Sequence, residues 1–136
     1  METKCVPWYN IPLINFLNSY LKPYHDVFEY GGGNSTIFYS QKAHRVCTLE
    51  TKDEWIQFVH TNKIKNNIEI RKPASIKNFA EEIENFNLKA FDIIVIDSRD
   101  RAKALKKSIS FLKENGIIIL DNSERENLQS TIYEMK

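Results

Sequence analysis

The sequence is poor in the features that mark several protein classes. Its two cysteines, Cys5 and Cys47, are too few for a disulfide framework, and nothing in their spacing indicates a metal site. Lysine and arginine total 19 against 18 aspartates and glutamates, so the net charge of +1 gives no electrostatic footprint for nucleic acid. No apolar run is long enough to span a bilayer, and the N-terminus lacks the core of a signal peptide. We therefore expect a cytoplasmic protein with no nucleic-acid or membrane partner.

Apolar periodicity along the 136 residues predicts one domain, with a helical segment at 1–24 and a Rossmann-like core at 25–136. Segments with helical spacing, including 76–83 and 102–112, alternate with short strand-like segments. The run FDIIVID is apolar enough for a strand buried on both faces. Such alternation implies a parallel α/β sheet with helices on both sides. The five predicted strands are 26–30, 45–50, 67–70, 91–97 and 117–120.

Acidic residues stand at or near the ends of four of these strands: Glu29, Glu50, Asp97 and Asp121. Ligands of an open parallel sheet bind beyond the carboxyl ends of its strands, where the strand order reverses. Four acids at four such ends are a more specific signal than glycines alone. They predict a ligand site at this edge of the sheet.

Three of the four glycines are consecutive, in the stretch VFEYGGGNST at 27–36. A phosphate-binding P-loop needs a lysine after its last glycine, and none follows here. The dinucleotide motif G-x-G-x-x-G fits Gly31 and Gly33 but has Thr36 at its third glycine. Glu29 also opposes a pyrophosphate, because a charge pair at ~4 Å and an effective dielectric near 20 costs roughly 4 kcal/mol.

S-adenosylmethionine suits a carboxylate in this place. It has no phosphate, and its ammonium and sulfonium are cations that Glu29 would attract directly or through water. Glycine at 31 or 33 removes a Cβ that would block the ligand's approach to the backbone. Glu50 follows Gly31 by about 20 residues, where an acid accepts hydrogen bonds from ribose hydroxyls, so it favours an adenosyl ligand of either kind. A surface acid at a strand end is the alternative for Glu50.

The stretches VFEYGGGNST, VCTLE, FDIIVIDSRDR and GIIILDNSER together resemble class I S-adenosylmethionine-dependent methyltransferases, over about residues 7–125. The sequence is especially similar to short bacterial methyltransferase-like proteins with an E-Y-G-x-G-N-S-T turn. The resemblance implies a doubly wound, three-layer α/β/α fold with strand order 3-2-1-4-5. It also implies S-adenosylmethionine as the cosubstrate.

The resemblance implies roles for individual residues as well. Asp97 would line the cofactor or acceptor site, and it is the best-placed catalytic base if the acceptor must lose a proton, with Asp121 next. Trp8 and Tyr9 would cover the cofactor, unless they are packing residues. The implied cofactor-binding residues are Glu29, Gly31, Gly33, Asn34 and Ser35 at the glycine turn, Glu50 at the ribose, and Asp97.

Three departures from the family pattern stand out. Ser35 replaces the usual third glycine, although serine is small and can cap a helix. The segment RKPAS at 71–75 lacks the acid that often meets the adenine amino group, so this contact is missing or comes from backbone near Ala74 and Ser75. Only five of the family's usual seven strands are predicted.

Several local expectations follow from helix and strand signals. Asn34 or Ser35 should cap the helix after the glycine turn. Asp100 should cap the helix at 102–112 with Arg101 in solvent, unless the SRDR segment binds an acceptor. The tail from 124 onward should be helical. Without the family's final hairpin, the strand at 117–120 would have an unpaired outer edge, which predicts a homodimer through that edge or a fragment of a longer protein.

The function predicted from these observations is methyl transfer from S-adenosylmethionine to an oxygen or nitrogen of a small-molecule acceptor. Two alternatives stay open. One is an inactive or truncated cofactor-binding remnant. The other, disfavoured by Glu29 and Thr36, is an NAD(P)-binding oxidoreductase module.

Overall fold

The computed structural model describes residues 11–97, 100–121 and 130–134. The helices are α1 (Ile11–Tyr20), α2 (Asn34–Lys42), α3 (Asp53–Asn62) and α4 (Arg101–Ser108), with a 3₁₀ helix at Phe79–Asn85 and a 3₁₀ turn at Ile109–Phe111. The strands are β1 (Asp26–Tyr30), β2 (Arg45–Leu49), β3 (Ile68–Arg71), β4 (Phe91–Ile96), β5 (Leu112–Asp121) and β6 (Ser130–Glu134).

One sheet contains all six strands, in the order β3-β2-β1-β4-β5-β6. The first five strands of this order are mutually parallel, which confirms the predicted Rossmann-like order 3-2-1-4-5. The order reverses between β1 and β4, which pair directly from Val27↔Ile93 to Tyr30↔Ile96. The carboxyl ends of these two strands therefore define the switch point at which a ligand is expected.

Two apolar clusters, one on each face of the sheet, confirm the three-layer arrangement. On one face, Val27, Val46 and Val95 pack with residues of α1 and α2. On the other, Phe28 and Ile94 pack with residues of the 3₁₀ helix and α4. Strand β4 contributes to both clusters, because Ile93 to Ile96 are all fully buried. The unbroken aliphatic run in the sequence thus corresponds to a strand covered on both sides.

Two of the predicted helices differ from the structure. The segment expected to be helical at 76–83 forms the 3₁₀ helix Phe79–Asn85, and α4 ends at Ser108 rather than continuing to Leu112. Leu112 instead begins β5 opposite Phe91, and the register with β4 then shifts so that Ile93 pairs with Ile117. The shift is accommodated where Asn115 adopts a left-handed φ of 68°.

The expectation of a helical tail is wrong where the structure describes it, because 130–134 forms β6. This strand pairs antiparallel with β5, from Ile117↔Glu134 to Asp121↔Ser130. The outer edge of β5 is thereby paired within the chain, which removes the reason given for a homodimer through that edge. Within the described part of the chain, no helix has both the length and the apolar character to cross a membrane.

Candidate active site

A buried carboxylate lies beneath the glycine turn. Glu29, in β1, is wholly inaccessible to solvent. Its Oε2 accepts a hydrogen bond from Ser35 Oγ at 2.5 Å, and its Oε1 accepts from Thr36 Oγ1 at 2.6 Å and Thr48 Oγ1 at 2.8 Å. The three donors come from two elements, since Ser35 and Thr36 start α2 and Thr48 lies in β2. Glu29 therefore ties the start of α2 and the neighbouring strand to β1.

Burial changes the acidity of this group. Removal from solvent raises the pKa of Glu29 to about 7, against an ordinary 4.5. The hydrogen bonds from Ser35, Thr36 and Thr48 oppose that rise, and the nearby charge of Asp97 adds to it. Near neutral pH the carboxyl is thus poised between its neutral and ionised forms, so a charged ligand close by would favour one form over the other.

The glycine turn owes its shape to two unusual backbone conformations. Gly31 has φ 92° and Gly33 has φ 154°, values that residues with a Cβ rarely adopt. A Cβ at Gly33 would stand only 2.6 Å from Cε3 of Trp55, which lies on α3. Besides the proposed approach of a ligand, glycine at 33 is thus required by an indole ring of the protein itself.

A side chain at Gly32 would clash with residues beneath the turn. A Cβ there would lie 2.3 Å from the Thr36 hydroxyl oxygen and 2.5 Å from the Thr48 methyl carbon, which belong to two of the side chains that hold Glu29. The expected cap by Asn34 or Ser35 is absent, because Gly33 is the N-cap residue and its N–H donates to Thr36 Oγ1 at 3.0 Å. Ser35 is instead engaged with Glu29. Asn34 is the first residue of α2 and is half-buried.

Glu50 follows directly after β2 and contacts the same turn. Its Oε1 accepts the Gly32 N–H at 2.9 Å, and its Oε2 accepts the Lys52 N–H at 2.8 Å. The residue is only 7% exposed, so it differs from the surface acid considered as its alternative. Oε2 also accepts the Thr51 hydroxyl at 3.5 Å, whereas Oε1 keeps acceptor capacity, because a carboxylate offers about four lone-pair sites.

Asp97 lies just beyond β4, next to the start of the glycine turn. Its N–H donates to Tyr30 O at 3.0 Å, while Gly31 N donates to Leu49 O at 2.8 Å on the other side of β1. Asp97 is half-buried, and Arg101 Nη2 lies 4.0 Å from its Oδ1. The sheet therefore brings Glu29, Glu50 and Asp97 to one edge, around the turn.

The expectations for the start of α4 are confirmed only in the position of the cap. Asp100 is the N-cap residue in a left-handed conformation, but its side chain makes no capping hydrogen bond. The Arg101 side chain is 19% exposed, so it is partly buried rather than solvated, and it lies beside Asp97. Ser98 and Arg99 lie outside the described residues, as do Trp8, Tyr9 and the DNSER residues 122–125. Asp121 ends β5. In the described ranges, no group of three or more His, Cys, Asp or Glu could hold a metal.

Three contacts at this edge have no counterpart in the sequence interpretation. Thr48 was visible as a polar residue inside the apolar strand RVCTLE, and the parallel register places it opposite Glu29. Trp55, on α3, lies against Gly33, and no motif in the sequence indicates this contact. Glu82, in the 3₁₀ helix, accepts the Ser75 N–H at 3.2 Å in the loop after β3, where a family acid was missing.

Comparison with known proteins gives matches among solved structures. No protein-family model matches the sequence, and a search of curated proteins finds no match. A Staphylococcus aureus protein described as a caffeoyl-CoA O-methyltransferase is 26% identical, with a TM-score of 0.61 over 82% of this chain and 54% of its own. A Bacillus cereus O-methyltransferase in complex with SAH is 24% identical, with a TM-score of 0.60 over 72% of this chain and 49% of its own. A Streptococcus thermophilus rRNA methylase is 12% identical, with a TM-score of 0.67 over 90% and 93%.

The chain has the fold of class I S-adenosylmethionine-dependent methyltransferases. It spans about half the length of the two O-methyltransferases, 54% of one and 49% of the other. The methyltransferase fold places its ligand site at the carboxyl ends of the central strands, as expected for an open α/β sheet. In this chain, that edge carries the glycine turn and the acids Glu29, Glu50 and Asp97.

Proposed function

We propose that this protein is a methyltransferase that uses S-adenosylmethionine as cosubstrate and transfers a methyl group to an oxygen or nitrogen of a small-molecule acceptor. The observation that carries the proposal is the pair of buried acids at the glycine turn. Glu29 lies beneath the turn, and Glu50 holds the Gly32 N–H. This set of acceptors suits a cationic ligand that also bears ribose hydroxyls.

The proposed cosubstrate supplies an electrophilic methyl group on a sulfonium, so the protein contributes mainly orientation and electrostatics. In the proposed arrangement, Gly31, Gly33, Asn34 and Ser35 form the backbone cradle for the methionine end. Glu29 acts on that end from beneath the turn, since both its oxygens already accept hydrogen bonds from the protein.

Glu50 is proposed to accept hydrogen bonds from the ribose hydroxyls. Its bonds to Gly32, Thr51 and Lys52 fix the orientation of the carboxylate and leave acceptor capacity on Oε1. Asp97 is proposed to line the cofactor or acceptor site and to serve as general base where the acceptor must lose a proton. Arg101 beside it would hold that carboxylate in place.

A dinucleotide differs from S-adenosylmethionine in the sign of the charge near the glycine turn, because its pyrophosphate is an anion and the sulfonium and ammonium are cations. With a pKa of about 7, Glu29 can take up a proton near neutral pH at small cost. A pyrophosphate is therefore repelled less strongly than it would be by a permanently ionised carboxylate. A cation instead favours the ionised form. The two ligand classes therefore predict opposite pH dependence of affinity.

The test is titration calorimetry with S-adenosylmethionine, S-adenosylhomocysteine and NAD at pH 6 and pH 7. For a ligand that requires ionised Glu29, the affinity should rise about fivefold between these values, following the ionised fraction of a group with a pKa near 7. The Glu29→Gln variant should lose this dependence. Binding of NAD alone, or adenosyl affinity that falls with rising pH, would contradict the proposal.

Turnover is tested separately, by formation of S-adenosylhomocysteine with panels of phenol, carboxylate and amine acceptors. Adenosyl binding together with acceptor-dependent turnover supports the enzyme. Binding without turnover across the panels supports the cofactor-binding module instead.

A further inference from the structure

A cleft lies between the 3₁₀ helix and α4, apart from the candidate active site. It has a volume of about 430 Å³, and none of the residues lining it belongs to the candidate active site. Its size falls in the range of small-molecule sites, roughly 300–1,000 Å³. The volume is therefore sufficient for an organic molecule as well as for an ion.

Four lysines line this cleft. Lys103, Lys106 and Lys107 come from α4, and Lys77 comes from the segment before the 3₁₀ helix. The helix spacing puts Lys103 three and four positions from the other two, so the three ammonium groups share one face. Like charges at this spacing destabilise a helix. A bound anion would relieve that repulsion.

Few protein carboxylates neutralise these charges. Lys107 donates to Glu84 Oε2 and lies 6.0 Å from the centroid of the Phe111 ring. Lys77, Lys103 and Lys106 form no ion pair with another residue that the structure describes. Glu81 is the one acid among the described residues that line the cleft, against the four lysines.

The lysines of the cleft are a local excess of positive charge in a chain whose charges nearly balance. The whole chain has a formal net charge of only +1, so a lining of four lysines and one glutamate is a local excess. Clefts lined by charge of one sign focus the electrostatic potential and raise the local concentration of oppositely charged ligands. Asn78 and Ser110 add uncharged polar side chains to the lining.

We propose that the cleft between the 3₁₀ helix and α4 binds a small phosphorylated ligand, with its phosphate on the lysines and its organic body in the remaining volume. Lysine binds phosphate as a point charge with three rotatable donors, which suits a lining from two separate segments. The cleft volume exceeds what one phosphate fills, which favours a phosphate ester over the free ion. The formal net charge of +1 is far from the strongly basic balance typical of nucleic-acid-binding domains, which favours a small anion as the ligand.

The test is titration calorimetry of the full chain with four probes: inorganic phosphate, pyrophosphate, glucose 6-phosphate and a single-stranded oligouridine. None of them carries adenine, so the proposed adenosyl site is not probed. The cleft variant is Lys103→Gln with Lys106→Gln. Its matched control is Lys63→Gln with Lys65→Gln, which removes the same charge at exposed positions just beyond α3.

We expect saturable binding of glucose 6-phosphate that is tighter than the binding of inorganic phosphate. The cleft variant alone should weaken this binding at least about tenfold (~1.4 kcal/mol). Equal weakening by both variants would assign the effect to net charge and overturn the proposal. The proposal would also be overturned if neither glucose 6-phosphate nor pyrophosphate bound at millimolar concentration. Oligouridine affinity that grows with length and exceeds that of every small probe would identify a nucleic-acid surface instead. Circular dichroism of both variants shows whether each is folded, and Lys77→Gln gives an independent variant outside α4.

Discussion

Thr48 donates its hydroxyl to the buried Glu29 across two neighbouring parallel strands, with Oγ1 and Oε1 2.8 Å apart. The strand register pairs the two residues directly. Threonine suits this place because it is β-branched, as strands favour, and still carries a donor. The contact joins β2 to the hydrogen-bonded core of the glycine turn, so stability and the proposed ligand site depend on the same carboxylate.

Replacing Thr48 by valine removes this donor and keeps the shape of the side chain. We expect a loss of about 1.5–3 kcal/mol in the free energy of unfolding at pH 8, where Glu29 is ionised, and about 0.5–1.5 kcal/mol at pH 6. Urea denaturation at both pH values measures the difference. The control is Thr61→Val on the exposed end of α3, expected to change stability by less than about 0.5 kcal/mol. Equal effects of the two substitutions at both pH values would contradict the role of Thr48.

The buried Glu29 should make stability depend on pH. Its folded-state pKa is near 7 against an ordinary 4.5, so the folded state binds the proton more tightly than the unfolded state. The stabilisation is complete below about pH 4.5 and is lost as pH rises to about 7, in total roughly 3 kcal/mol. In Glu29→Gln this contribution is absent. As pH rises through this window, the free energy of unfolding of the variant should therefore increase by about that amount relative to the wild type, as measured by urea denaturation. Parallel curves of unfolding free energy against pH for the two proteins would contradict this role of Glu29.

Glu50→Gln tests the proposed ribose contact and a structural role together. The amide has one acceptor oxygen, so either the Gly32 or the Lys52 N–H loses its partner, at a cost of about 1–3 kcal/mol in stability. We expect affinity for S-adenosylhomocysteine to fall by about 1.5–3 kcal/mol in calorimetry, at a temperature where the variant is folded. Glu54→Gln, in the exposed first turn of α3, is the matched control. Unchanged affinity in folded Glu50→Gln would leave this residue with a structural role only.

Local patterns were sufficient to predict the parallel sheet and the edge at which the acids meet, through features such as the aliphatic run of β4 and the acid directly after β2. The strand order came from the resemblance to the methyltransferase family. The partners of Glu29 depend on register, which sets Thr48 opposite it and cannot be read from one strand alone. A sequence pattern likewise shows Trp55 as apolar without showing that its ring lies over Gly33.

Gly33 and Trp55 should be energetically coupled. Gly33→Ala places a Cβ 2.6 Å from the indole at a backbone φ of 154°, so it should destabilise through both contact and strain. Trp55→Leu removes the ring but not the strain. A double-mutant cycle in urea should therefore show that the alanine costs less in the Trp55→Leu background, by about 0.5–3 kcal/mol. Additive effects would mean that backbone strain alone accounts for the glycine.

The tail shows where local pattern was misleading. Leu128, Ile132 and Met135 recur at a spacing that also suits a helix, and short segments of this kind are ambiguous. Pairing with β5 determines that the segment forms a strand, because β5 is buried and the backbone groups of its outer edge need hydrogen-bond partners. Residues 130–134 satisfy that edge as β6, with no change to the five-stranded parallel core.

Removing β6 should expose the edge of β5 and promote self-association. A chain ending at residue 129 loses the five antiparallel pairs from Ile117↔Glu134 to Asp121↔Ser130, and an unpaired edge beside buried aliphatic residues is a template for another chain. Light scattering should show a larger species for this truncation than for the full chain at equal concentration. Ile132→Pro, which removes a backbone donor within β6, should shift the size in the same direction, while Ile132→Thr, which keeps strand propensity, should not. Identical sizes for the truncated and full chains would show that β6 does not protect the edge.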